Sequence, residues 1–136
     1  MNEFNLKKRD IRRNAYFDKN NLIAKNGSDL INDKLKFMSK KIENCLILDE
    51  DLCIEVSSFT NTKIININDI NLVEGKFDAA ISNFSLQIPL FLNSNDIFNK
   101  ILSKLNDNSL FCFNIITSNS MKTLQNIFLE IDEKIF

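Results

Sequence analysis

Two glycines, one proline, no histidine and no tryptophan set this 136-residue chain apart. Without histidine there is no Ser-His-Asp or Cys-His machinery and no imidazole ligand for zinc. With glycine only at positions 27 and 75, no Gly-rich loop can cradle a phosphate or a dinucleotide. Cys45, Cys53 and Cys112 stand too far apart for a metal knuckle or a redox CxxC pair. An odd count of such thiols reads as reduced, buried cysteines in a cytoplasmic setting. No apolar run approaches the ~20 residues of a membrane span, and the N-terminus has no apolar segment of the secretory kind.

What is present is ordinary for a folded domain. Apolar residues make up 44% and charged residues 26%, enough for a single core. The net charge of −1 gives no general pull toward nucleic acid or membrane. All three arginines (Arg9, Arg12 and Arg13) cluster beside Lys7 and Lys8. The cluster reads as a solvated arm or as a contact for an acidic partner. Heavy use of Asn, Ile, Lys and Phe reads as coding bias.

Periodicity orders the elements. Leu30, Ile31, Leu35 and Met38 recur at helical spacing within 28–41, with Ser28 and Asp29 as candidate caps. Residues 45–48 form a short solid apolar run, suited to a strand buried on both faces. A short helix is expected in 52–59 and a branched, alternating strand in 63–68. The stretch 77–83 reads as another buried strand, with Asp78 near its start. A helix is expected over 95–105, capped by Ser94 or Asn95, followed by a turn at 106–108 where Asn and Asp tolerate left-handed geometry. A strand over 109–116 and a helix over 120–134 complete the pattern. Alternating strands and helices imply right-handed βαβ units and a mostly parallel sheet of about four strands. The expected organisation is a basic arm and helix over 1–27 and an α/β domain over 28–136.

Several stretches resemble the class I S-adenosylmethionine-dependent methyltransferases. They are FNLKKRDIRRNAYFDKNNLIAKNGSDLINDKL near the N-terminus, GKFDAAISNFSLQ, NDIFNKILSKLNDNSLFCFNII and SNSMKTLQNIFLEIDE. The similarity is to the branch holding the malonyl-carrier-protein methyltransferase of biotin synthesis and the mitochondrial complex I assembly methyltransferase-like proteins. It implies a shortened Rossmann-like fold. It also implies cofactor contacts at Asp49, which matches the acid ending the first strand, at Asp69, if 63–68 is the third strand, and at Asn83. Ser82 and Asn83 follow the strand beyond which substrate lies in that fold, although polar residues also simply end strands. Tyr16 lies in the region that can cover the cofactor.

The departures carry their own chemistry. The family's first strand runs into a glycine loop, whereas this chain has ILDEDLC, with Asp51 and Cys53 where glycines would stand. A Cβ there blocks close backbone approach, and an extra acid repels the cofactor's carboxylate. The consecutive acids Asp49, Glu50 and Asp51 read as a solvated loop rather than an acid-base pair or a metal site. Gln87 and Ile88 replace the family's His-Trp pair. Only the fourteen residues 49–62 separate the first strand from KIININ, where the family fits a helix, a strand and another helix. The family's last strands have no counterpart, which leaves a sheet edge. The expectation is a degenerate methyltransferase-fold protein that no longer binds S-adenosylmethionine and acts with a protein partner or as a homo-oligomer. The alternative is an active enzyme methylating a carrier-bound acyl carboxylate or a protein side chain. No catalytic residue is assigned, no metal is expected, and neither nucleic acid nor membrane is an expected partner.

Overall fold

The apolar run at 45–48 sits at the centre of the molecule. In the computed structural model, which describes residues 22–49, 54–117, Lys8, Lys122 and Asn126 (backbone alone over 87–94), it forms β1 (Asn44–Leu48). Its side chains alternate between two cores, as the period of two along a strand requires. Leu46 and Leu48 enter one core, while Cys45 and Ile47 enter the other. Both faces are therefore buried, and the absence of polar alternation follows from that.

Three further strands join β1: β2 (Asn61–Ile65), β3 (Phe77–Asn83) and β4 (Leu105–Asn114). They form one sheet in the order β2-β1-β3-β4, with every pairing parallel. Helix α1 (Leu22–Lys36) precedes β1, and helix α2 (Gln87–Leu102) connects β3 to β4. Ile31 of α1 shares a core with Ile54 and Phe59 of the β1–β2 connection. The opposite face carries Ile67 and Ile70 of a 3-10 segment, Ile67–Leu72, together with Ile97 and Ile101 of α2. The chain thus winds outward on one face and returns across β1 on the other. This is a small doubly wound, Rossmann-like α/β domain, whose strand order reverses between β1 and β3.

Element boundaries differ from the sequence expectation in instructive ways. α1 begins at Leu22 rather than at a Ser28 cap, so Gly27 and Ser28 lie buried in mid-helix. α2 begins at Gln87 rather than near 95, with Pro89 in its first turn, where a missing N–H costs nothing. The helix expected in 52–59 is a three-residue 3-10 turn, Val56–Ser58. β2 lies at 61–65 rather than 63–68 and pairs directly with β1. The expected turn at 106–108 lies inside β4, where the register jumps from Phe77↔Leu105 to Ala79↔Leu110. Asn108 has φ 57°, the left-handed geometry expected of that stretch. Lys122 and Asn126 are helical, and the rest of the 120–134 expectation lies outside the described residues, as do Tyr16 and the arginines.

Asp78 ties three strand starts together at that irregularity. Its Oδ2 accepts the Asn44 N–H at 3.0 Å, and its Oδ1 accepts from the Asn106 amide at 3.0 Å. The Asn44 N–H first, and the Asn106 amide second, hold its carboxyl below the usual carboxylate range. A depressed folded value stabilises fully above the unfolded value near 3.8 and loses that effect as pH falls through the lower folded value. Asp78→Asn is therefore expected to flatten the acid limb of a stability-against-pH curve below about pH 4. Parallel curves for the two proteins would contradict this.

Candidate functional site

Ligands of doubly wound sheets sit beyond the carboxyl ends of the strands, where the order reverses. Here that place lies above Leu48 and Ser82, which pair across β1 and β3. The next residues, Asp49 and Asn83, are two of the three site residues inferred from sequence. The topology brings their backbones side by side, but their side chains turn to different neighbours.

Asp49 is only 5% exposed and has φ 65°. Its N–H donates to Ile65 O at 2.6 Å, continuing the β1–β2 ladder. Its Oδ1 accepts the Ile67 N–H at 3.0 Å, holding the chain where β2 passes into the 3-10 segment. The expected solvated acid is therefore buried at this position; Glu50 and Asp51 lie outside the described residues.

Asn83 faces α1. Its Nδ2 donates to Ala24 O and to Ser28 Oγ, each at 3.0 Å, and its Oδ1 accepts from Asn114 Nδ2 at 3.1 Å. Asn114 Nδ2 also donates to Gly27 O at 2.8 Å, and Ser28 Oγ donates to Ala24 O at 2.9 Å. This network clamps α1 onto the ends of β3 and β4. Buried amides that share donors and acceptors in this way hold one geometry. Gly27 makes the approach possible, because a Cβ built there would lie 2.3 Å from Asn83 Oδ1.

Asp69 lies apart from both. It is exposed, in the first turn of the Ile67–Leu72 segment, and its N–H donates to Asn66 O. The side chain that caps this segment belongs to Asn66, whose Oδ1 accepts the Asn68 N–H at 2.9 Å. The strand before it, β2, is the second in chain order and neighbours β1.

Next to Asn83, Ser82 is fully buried, and its hydroxyl has no hydrogen-bond partner among the described residues. Ser85, by contrast, donates its hydroxyl to Leu48 O at 2.6 Å and closes the β3–α2 turn onto β1. Ser82→Ala removes an unsatisfied polar group without opening a large void. It is expected to stabilise the fold by about 1 kcal/mol, read as a higher denaturant midpoint. A loss of stability would mean that the hydroxyl has a partner after all.

Two of the cavities among the described residues lie elsewhere. One of about 190 Å³ is lined by Leu35, Ile42 and Phe59, with Lys36, Lys40, Lys41 and Glu55 among its polar residues. The other, of about 350 Å³, lies between Lys34, Leu35 and Met38 of the α1 end and residues 110–113 of β4. Neither is lined by Asp49, Asp69 or Asn83. Cys45 and Cys112 are free thiols on one face of the sheet; burial pushes Cys45 up to about 12, and burial also raises Cys112. These shifts disfavour the nucleophilic thiolate. Among the described residues no group of His, Cys, Asp or Glu could hold a metal ion, and no helix is long and apolar enough to cross a membrane.

Sequence reasoning missed Asn66, Asn114 and Gly27. Asparagine abundance masked the two amides, and a glycine read locally says nothing about a strand end far along the chain. Fold and site together define a doubly wound α/β domain whose strand-end polar groups hold its own elements in place. The chain matches no protein-family model, no curated protein and no solved structure.

Proposed function

We propose that this protein is a degenerate member of the methyltransferase fold class that no longer binds S-adenosylmethionine and serves as an interaction or assembly subunit. One observation carries the reading. The two strand-end side chains best placed to meet a cofactor, Asp49 and Asn83, are hydrogen-bonded to the protein's own backbone and side chains. A cofactor's hydroxyls or amine would have to displace those bonds, leaving buried groups unpaired. In the sequence after β1, Asp51 and Cys53 in place of glycines support the same reading, through charge and the added Cβ.

The strand reversal between β1 and β3 favours the second reading, an active S-adenosylmethionine-dependent methyltransferase acting on a carrier-bound acyl carboxylate or a protein side chain. Methyl transfer needs little beyond in-line placement of donor and acceptor, so the lack of histidine does not exclude it. Calorimetric titration with S-adenosylmethionine separates the two. No heat of binding at millimolar ligand is expected. Micromolar binding that Asp49→Asn weakens would overturn the first reading and leave the second.

A further inference from the structure

The sheet ends in two unlike edges. β2 is five residues long, exposed along almost its whole length, and carries Lys63 at its centre. Short length and a central lysine are the usual protection of an edge against a further strand. β4 is ten residues long. Its register jump and Asp107 protect only its start, and from Ser109 to Asn114 it holds no charge and no proline.

One hydrogen bond fixes which way the backbone groups of this stretch point. The Phe84 N–H donates to Asn114 O, so Asn114 turns its N–H and C=O toward β3. Successive residues of a strand alternate in this respect, so Leu110 and Cys112 also face β3, while Phe111 and Phe113 face outward. Among the described residues no strand lies on that side, since β4 is last in the order β2-β1-β3-β4. These four residues also wall the cavity of about 350 Å³, opposite Lys34, Leu35 and Met38. An open ladder beside an apolar cavity suits an added strand: the main chain supplies hydrogen bonds, and the cavity supplies room for side chains.

We propose that the added strand is β4 of a second copy, the two strands running antiparallel about a two-fold axis at Cys112. The proposal rests on the interaction-subunit reading above and supplies its surface and its partner. A two-fold contact sets residue i against j and j against i. With the axis at Cys112, Phe111 of each copy faces Phe113 of the other. Both are outward residues, so each such pair exchanges both N–H···O=C bonds. Their side chains lie on the α2 face, where Phe98, Phe111 and Phe113 already pack with ring centroids 4.8 to 6.0 Å apart. The second copy extends that cluster through aromatic cross-strand pairs. An axis at Phe111 or at Phe113 would leave a single Phe–Phe pair, so the pairing of both phenylalanines selects Cys112. The stretch from Ser109 to Asn114 sets no charge against its own copy, and the exposed Lys34 has a stem long enough to keep its ammonium in water.

The test uses the full chain. An edge contact is small, so a dimer is expected in analytical ultracentrifugation at about 100 µM. Cys112 reads the register. Across the axis it forms a non-hydrogen-bonded pair, whose Cα atoms lie about 4.5 Å apart, within the roughly 4.4–6.8 Å that a disulfide spans. In the Cys53→Ser variant, diamide should join two chains through Cys112, the two thiols giving up their hydrogens to the azo bond. Alkaline buffer is used because burial raises the Cys112 thiol, and the fully buried Cys45 should stay reduced. Phe111→Pro removes an outward N–H without touching the bonds to β3. It should weaken association at least about tenfold more than Phe111→Ala, both variants keeping the wild-type circular dichroism. The cross-link needs no change at the interface, so the test stands even where Phe111→Pro fails to fold. A monomeric wild type overturns the proposal. So does a dimer that diamide does not join through Cys112, or one that tolerates Phe111→Pro as well as Phe111→Ala. Calorimetry on the same samples keeps the two readings apart. A monomer without cofactor binding defeats the dimer alone, and a dimer that binds S-adenosylmethionine defeats the functional reading alone.

Discussion

Gly27→Ala is expected to destabilise the protein by about 3 kcal/mol, combining overpacking with the loss of clamp hydrogen bonds. At this chain length that lowers the thermal midpoint by about 10 °C. The new Cβ would lie 2.3 Å from Asn83 Oδ1, 2.7 Å from the Phe84 ring and 3.2 Å from Asn114 Nδ2. The Asn83 amide cannot easily yield, because its nitrogen is bonded to Ala24 O and Ser28 Oγ. α1 must therefore lift, stretching the Asn114–Gly27 bond. Local propensity argues the opposite, since alanine favours a helix over glycine by about 1 kcal/mol. The sign of the change thus reports whether tertiary contact or local preference governs position 27. Asn83→Ala removes the atom met first, so the cost of Gly27→Ala in that background should fall by more than about 1 kcal/mol. A stabilising Gly27→Ala in equilibrium denaturation would refute the clamp.

The second large effect belongs to Asp49. Asp49→Ala leaves the Ile67 N–H without its acceptor and puts a residue with no polar side chain at φ 65°. Together these cost about 3 kcal/mol. Asp49→Asn keeps an oxygen acceptor on a residue that tolerates the left-handed region, and should stay within about 1 kcal/mol of wild type. Asp49→Gly relieves the backbone but loses the acceptor, so it should fall between them. A structural acid gives the order Asn, Gly, Ala in denaturant midpoints, whereas an acid needed only for a ligand leaves the backbone preference alone and puts Gly at the top, above Asn and Ala.

These two positions also mark how far the sequence could be read. The solid runs at 45–48 and 77–83 were legible because burial on both faces removes polar alternation, a local property. The parallel arrangement followed from strands alternating with helical segments. α1 was legible as a helix but not from its true start: Gly27 and Ser28 are poor interior residues by local preference, and their reason lies in Asn83 and Asn114. Pro89 hid the first turn of α2 in the same way. Asp49 was found as a strand-end acid through a family resemblance, but its hydrogen bond to the Ile67 N–H is a contact between elements, which no single stretch of sequence encodes.

Composition by itself excluded histidine chemistry and glycine-cradled phosphates, and periodicity determined a small α/β domain with a largely parallel sheet. Both are properties of residue types and their short-range order. Only the tertiary structure decided the strand order β2-β1-β3-β4, the strand reversal between β1 and β3, and the use made of the rare glycine at position 27. Those depend on which distant surfaces meet. In the middle of α1, Gly27 admits the Asn83 side chain at the end of β3, because the close approach of helix and strand leaves no room for a Cβ.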